Sequence, residues 1–252
     1  MNIMGTRFDI IMVGKRKAES ETIWHNVVLE LRRLDHMLNR FDAASEISRI
    51  NRNAFVNPVQ ITGEMFAILQ SCKQYHLQTF GLFDITLKDF SKVNLSEETT
   101  TVSFLQSDIS LDLGGFAKGY ALGKIKKLLL HADVRDCFID FGNSSILGIG
   151  HHPYGDSWKV SVANPFNKEQ ILNEIALKDE ALSVSGNTPD YTAHIVRPDS
   201  GKAVQAHQLI CMTTEDPLDA EILTTAFMVA SPDEKKQLTK RFKIKEQFEY
   251  NL

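Results

Sequence analysis

Cys137-Phe-Ile-Asp-Phe-Gly-Asn-Ser-Ser-Ile-Leu-Gly-Ile149 decides the fold class. Cys137 to Phe141 and Ile146 to Ile149 read as strands, and Gly142-Asn-Ser-Ser145 between them suits a tight turn, so the two strands pair antiparallel. The pattern continues downstream. Trp158 to Val162 alternates like a half-buried strand, Asn164-Pro165 breaks it, and Ile171 to Leu177 and Ala181 to Val184 give two more strands. Residues 137–213 are therefore mostly strand, and the region before them is mostly helix. Runs of helices and strands, rather than strict alternation, give an α+β fold with a largely antiparallel sheet and flanking helices.

Upstream, an opening strand spans Phe8 to Val13. A helix follows from Thr22 to Leu38, with Ile23, Val27, Leu31, Leu34 and Leu38 on one buried face. His25 and His36 fall outside that stripe and read as solvent-facing. Ser45 and Ser48 suit the cap of a short helix over Ser45 to Asn51, in which Arg49 pairs with a nearby carboxylate. A further helix from Gly63 to Phe80 buries Met65, Ile68, Leu69, Cys72 and Tyr75 and ends at Gly81, a natural C-cap residue. Residues 88–108 are polar, with one short strand at Thr101 to Leu105. A final helix runs from Pro217 to Ala230, and a stretch of mixed charge closes the chain. No repeat or linker divides the 252 residues, which read as one domain, 1–252, with a lobe boundary near 132.

Composition narrows the function. Hydrophobic residues at 43% and charged residues at 24% are those of a globular protein with neither a disordered nor a membrane-spanning segment. A formal net charge of −4 and the lack of a basic tract argue against nucleic acid as a partner. Cys72, Cys137 and Cys211 lie far apart without metal-ligand spacing, and read as buried thiols in a reducing compartment. The first strand begins almost at once, so the chain as written is expected in the cytoplasm.

The chemistry is concentrated in Ile109-Ser-Leu-Asp-Leu-Gly-Gly-Phe-Ala-Lys-Gly-Tyr-Ala-Leu-Gly-Lys-Ile125. A short strand ending in Asp112, two glycines and a helix over Phe116 to Leu130 that opens with Lys118 form a phosphate-binding geometry. The unpaired N–H groups of a helix start attract an anion, and the lysine adds a full charge. A close strand-to-helix crossing explains the same residues without a ligand. In Ala220-Glu-Ile-Leu-Thr-Thr-Ala-Phe227, Glu221 and Thr225 share one helix face, with Thr224 beside them. Acidic residues complementing a helix start are the alternative explanation there.

Six blocks occur in one order: Met4-Gly-Thr6, Ser45 to Asn51, Gly81-Leu-Phe-Asp-Ile-Thr86, Asp112 to Gly119, His194-Ile-Val-Arg-Pro-Asp-Ser-Gly201 and Ala220 to Phe227. Together they resemble the ApbE family, the FAD:protein FMN transferases. The resemblance implies two α/β lobes with the nucleotide in the cleft between them. It also implies a Mg²⁺-dependent transfer of FMN from FAD to a Thr or Ser hydroxyl of an acceptor flavoprotein, with AMP leaving. By the same resemblance His194 is the catalytic group. Met4, Phe41, Leu82, Phe83, Asp84, Asp112, Lys118 and Ile195 bind FAD, and the Gly115 carbonyl with Glu221, Thr224 and Thr225 holds the metal.

Several positions depart from the family pattern. Glu221 replaces an aspartate, Arg197 another aspartate and Phe41 a tyrosine, and Asp140 to Ser144 lacks the second glycine and the acid of Asn-x-Gly-Gly-Asp. Arg197 either adds a phosphate contact or marks a lost role. A longer insert that walls the pocket in relatives is missing between 88 and 108. The departures keep two alternatives open: hydrolysis of FAD to FMN and AMP, or FAD binding without transfer chemistry. Many relatives are exported lipoproteins, so export is the alternative location.

Overall fold

The computed structural model describes residues 1–189, 192 and 195–252. The chain begins with β1 (Asn2–Ile3), β2 (Thr6–Val13), α1 (Lys17–Leu38), α2 (Glu46–Asn53), β3 (Val59–Gln60) and α3 (Gly63–Gln78). Next come β4 (Val93–Ser96), β5 (Thr101–Phe104), α4 (Ala117–His131), β6 (Asp136–Phe141), β7 (Ser145–Ile149), β8 (Trp158–Asn164) and β9 (Asn167–Leu177). β10 (Glu180–Gly186), β11 (Val196–Arg197), β12 (Lys202–Ala203), β13 (Gln208–Thr214), α5 (Pro217–Val229), α6 (Pro232–Arg241) and β14 (Glu246–Asn251) complete it.

Seven strands form the main sheet in the order β1-β2-β6-β7-β10-β13-β14, with every adjacent pair antiparallel. The α+β expectation holds. Because β2 pairs with β6, the sheet joins chain from both sides of residue 132. The β6–β7 turn is the one that the sequence predicts. Gly142 and Asn143 both take positive φ, 72° and 56°, and the Asn143 N–H donates to the Asp140 carboxylate at 2.8 Å.

Strand parity decides which side chains meet the helices. Ile146 and Leu182 pack with Trp158, Ile175 and Leu177 of the β8–β9 hairpin on one face of the sheet. Their neighbours Ser145 and Ser183 stand opposite each other and are bonded on the other face to α5. α4 packs on α5, and α1 on α4, closing the main core around Phe8, Leu31, Leu34, Phe116, Ile125 and Phe141. No helix among the described residues is long and apolar enough to cross a membrane.

Four local expectations are corrected. Ile109 to Asp112 is no ladder strand. It is held by the Asn51 side chain, which accepts from Leu111 N–H at 2.8 Å and donates to the Leu111 carbonyl at 2.9 Å, and by Asp112 N–H on the Ile85 carbonyl at 2.6 Å. The first long helix starts at Lys17, five residues earlier than its apolar stripe indicates, where Glu19 accepts from both the backbone N–H and the guanidinium of Arg16. The third helix ends at Gln78, and Phe80 as well as Gly81 takes positive φ. The helix over Pro217–Val229 is not the last. α6 follows, with Pro232 in its first turn and a capping box between Ser231 and Glu234, and β14 pairs with β13 along the sheet edge.

Glu64 on α3 ties α4 into the frame. Its carboxylate accepts from Arg33 on α1 at 2.6 and 3.1 Å, from the Tyr120 hydroxyl at 2.8 Å, and pairs with Lys124 at 2.8 Å. Burial opposes the charge, but these partners outweigh it and hold its pKa at about 2, below the ordinary 4.5. A depressed pKa stabilises the fold above the ordinary value, and the contribution is lost as pH falls from 4.5 through 2. Glu64→Gln is expected to lower stability at pH 7 by about 1–2 kcal/mol. Chemical denaturation across that window should show the gap to wild type closing toward the acid end.

Candidate active site

The site grows from the segment before α4. Asp112 turns its carboxylate onto the loop, accepting from Gly114 N–H at 2.9 Å, while Arg40 lies 3.3 Å from its other oxygen. α4 then starts without a side-chain cap, and the Phe116 and Ala117 N–H groups donate to the Leu113 carbonyl at 2.9 and 2.8 Å. Gly115 lies in that loop. A Cβ placed there would stand 3.6 Å from Phe83 and 3.6 Å from the Thr225 hydroxyl, so the glycine loop, the Gly81–Thr86 segment and α5 converge at this point.

Lys118 reaches across to α5 and donates to Oε1 of Glu221, 103 residues away in sequence. Glu221 is buried, and its Oε2 accepts from the Ser145 hydroxyl at 2.5 Å, with Ser183 at 3.5 Å. This corrects the reading of Glu221 as an exposed acid complementing the helix start. Asp216 performs that task, accepting from Leu218 N–H at 2.9 Å. Thr225 faces Gly115 and donates to the Glu221 carbonyl at 3.1 Å. Thr224 turns the other way. Its hydroxyl meets Ser183 and Ser185 at 2.9 Å each and back-bonds to α5 carbonyls at 3.1 Å, so it belongs to the helix–sheet contact.

The residues expected to line the cofactor separate into two groups. Phe41 is 84% exposed, with Arg40 4.8 Å over its ring. Together with Ser48, Asn51, Arg52 and Ser110 they border an open groove of about 500 Å³ beside Asp112. Leu82 and Phe83 are buried, and Leu82 packs with Ile195 in the small core under α5. Met4 has a positive φ of 49° and is half-buried against the main core. Asp84 does not face the groove. Its fully buried carboxylate accepts from Thr86 N–H at 2.7 Å, the Thr86 hydroxyl at 2.6 Å and Phe90 N–H at 2.8 Å, and lies 3.2 Å from His76. Burial opposes its charge, yet His76 and Thr86 lower its pKa, and the carboxylate raises that of His76 in turn. Asp84 thus shapes the loop that carries Phe83.

His194 lies outside the described residues. Arg197 is far from a free phosphate contact: its guanidinium is bidentate to Glu234 at 2.8 and 3.0 Å, bonds Asp199 at 3.0 and 3.1 Å, and reaches the Val229 carbonyl at 2.7 Å. It fastens the β11–β12 hairpin to α5 and α6. Asp219 is also engaged, by the Tyr75 hydroxyl at 2.6 Å, and burial raises its pKa. Sequence reading missed Ser145, Ser183, Arg40 and the bidentate role of Asn51. Only strand parity in the β6–β7 hairpin pointed to Ser145.

A hard cation such as Mg²⁺ takes oxygen donors and keeps several waters. Among the described residues no group of three or more His, Cys, Asp or Glu is placed to hold a metal. The Glu221 carboxylate and the Thr225 hydroxyl, four residues apart on α5, with the Gly115 loop packed on the latter, are one acid and neutral oxygens of the kind that ion takes. The single carboxylate is shared with Lys118.

The antiparallel α+β frame thus brings a buried acid, Glu221, against Lys118 at a glycine-led helix start. The family follows from comparison: the ApbE family model matches residues 4–101 and 87–248, and the chain belongs to that family. It is 22% identical to an FAD:protein FMN transferase of Klebsiella pneumoniae (strain 342) over 94% of this chain and 79% of that one. With a protein of the same name from Chlamydia trachomatis it shares 27% over 79% of this chain and 72% of the other. Among solved structures, the flavin transferase ApbE of Vibrio cholerae superposes with a TM-score of 0.85 at 18% identity, covering 100% of this chain and 95% of that one. The ApbE protein of Thermotoga maritima gives 0.82 at 22% identity, covering 94% and 88%. The fold is therefore that of ApbE.

Proposed function

We propose that this chain transfers the FMN moiety of FAD to a threonine or serine hydroxyl of an acceptor protein and releases AMP. The observation that carries the reading is the meeting of Lys118 with buried Glu221 beside the Gly115–Thr225 contact, in a chain of the ApbE family. The pyrophosphate lies at the start of α4, where backbone N–H groups and Lys118 offset its charge, and the flavin or adenine ring uses the groove under Arg40 and Phe41. The acceptor oxygen bonds to the FMN phosphorus, the bond from that phosphorus to the AMP oxygen breaks, and the hydroxyl proton passes to His194. Glu221, Thr225 and the Gly115 carbonyl would hold a divalent cation, which when bound would supply positive charge to the phosphates.

Incubating the pure chain with FAD and Mg²⁺, with and without an acceptor protein carrying a Thr/Ser flavinylation motif, tests the reading. Covalent flavin on the acceptor together with AMP supports transfer. FMN and AMP without an acceptor indicate that water takes its place. A second reading, FAD binding without transfer, is favoured by the engagement of both Glu221 oxygens; it gives neither AMP nor covalent flavin.

Lys118→Ala is expected to weaken FAD binding by about ten- to a hundredfold, the worth of a charge-assisted contact. Titration of flavin fluorescence measures it, and an unchanged affinity would remove the helix start from the binding site.

A further inference from the structure

We infer that Lys118 and the divalent cation are alternative occupants of one oxygen, Oε1 of Glu221, so that cation binding and pyrophosphate binding are coupled through the lysine. The inference rests on the proposed use of this site for FAD and a cation.

The two oxygens of Glu221 are not equivalent. Oε2 is fixed on the sheet, accepting from Ser145 at 2.5 Å with Ser183 behind it at 3.5 Å. The Glu221 stem is packed closely on one side, because α4 crosses α5 at Gly119, where even a Cβ would stand 2.8 Å from that of Glu221. Oε1 is thus the oxygen left for an ion, and the Lys118 ammonium is on it. An ammonium and a dication on one buried oxygen weaken each other's binding, because their mutual repulsion at that separation is little screened.

Exposure is equally unequal. The Glu221 side chain is 6% exposed, whereas Lys118 is 21% exposed and sits on a flexible four-carbon stem in the first turn of α4. When an anion occupies the helix start, the lysine has a second partner within reach of the same turn, and Oε1 is released to the cation. Without the anion, the lysine competes with the cation. Linkage is reciprocal: whatever frees Lys118 from Glu221 strengthens binding of the anion as well. The site would then load cation and substrate together.

Equilibrium binding to the apo chain tests this. With Mn²⁺ as the probe and no nucleotide present, followed by the electron paramagnetic resonance of the free ion, Lys118→Ala should bind the ion about tenfold tighter than wild type or better. The same variant loses FAD affinity, so the two ligands respond in opposite directions. In EDTA, Glu221→Gln should bind FAD several-fold tighter than wild type, because the lysine is no longer held.

Equal or weaker Mn²⁺ binding by Lys118→Ala overturns the inference, since a merely supporting lysine would lower both affinities. If that variant does not fold, the Glu221→Gln arm decides alone, and unchanged or weaker FAD binding there overturns it too. Neither arm reads turnover. A chain that shows the coupling and transfers no flavin refutes the proposed reaction and leaves this inference standing.

Discussion

Replacing Glu221 with alanine is expected to lower transfer activity by on the order of 10²- to 10³-fold, the usual cost of losing preorganised charge stabilisation, here that of the cation it would hold. As a mere helix-start acid, the alternative that the sequence leaves open, the residue would cost about 0.3–1 kcal/mol of stability when lost. Its burial and its bonds to Lys118 and Ser145 change that expectation. Lys118 can turn partly to water, but Ser145 is 2% exposed and loses its acceptor. The loss should therefore be about 1–3 kcal/mol, readable in a denaturant titration. Activity falling with stability unchanged would show that the Ser145 bond contributes nothing.

Glu221→Asp separates charge from reach. Aspartate keeps the acid but withdraws it by about one carbon–carbon bond, so it falls short of Ser145 and loosens its hold on Lys118. We expect this variant to gain affinity for Mg²⁺ and to lose part of the stability. If activity and metal affinity both drop, the chain has adapted its sheet to glutamate.

What was legible in the sequence followed local rules. The β6–β7 hairpin could be read because Gly142 and Asn143 supply the left-handed turn. The cap of α2 could be read because Ser45 accepts from Ser48 N–H as such caps do. Where the reading failed, a tertiary partner had replaced a local signal. Residues 109–112 look like a strand by composition, yet their backbone bonds go to Asn51 and Ile85. α6 carried a readable signal, Ser231-Pro232 followed by Glu234, that the run of charges obscured. In the site, the meeting of Glu221 with Lys118 had no signal in spacing, because 103 residues separate them. The tying of Arg197 to Glu234 was hidden for the same reason, 37 residues apart, whereas the inward turn of Asp84 uses near neighbours, Thr86 and Phe90, in a loop without a periodic pattern.

Gly119→Ala is expected to unfold or displace the site, against the trend for its residue type. Alanine in a helix interior is favoured over glycine by about 1 kcal/mol, so in the first turn of α4 propensity alone predicts a gain of at most that size. At Gly119, however, the added Cβ would stand 2.8 Å from the Glu221 Cβ, 2.9 Å from the Pro217 carbonyl and 3.0 Å from the Leu218 Cα. These atoms belong to the first turns of α5, two of them are backbone, and no rotamer change relieves the contact. Overpacking of this kind costs about 1–3 kcal/mol or more, which outweighs the propensity gain. Relief requires α5 to move away from α4, and that movement separates Lys118 from Glu221 and Gly115 from Thr225 together. Gly123 provides the control, one turn further along the same helix, where a Cβ would meet nothing within 4 Å. Gly123→Ala should stabilise the chain by about 0.5–1 kcal/mol with FAD binding unchanged. Thermal melts and FAD titrations of the two variants decide the matter: equal gains in both would show that the helices are not in contact at Gly119 and that this crossing does not set the distance on which the site depends.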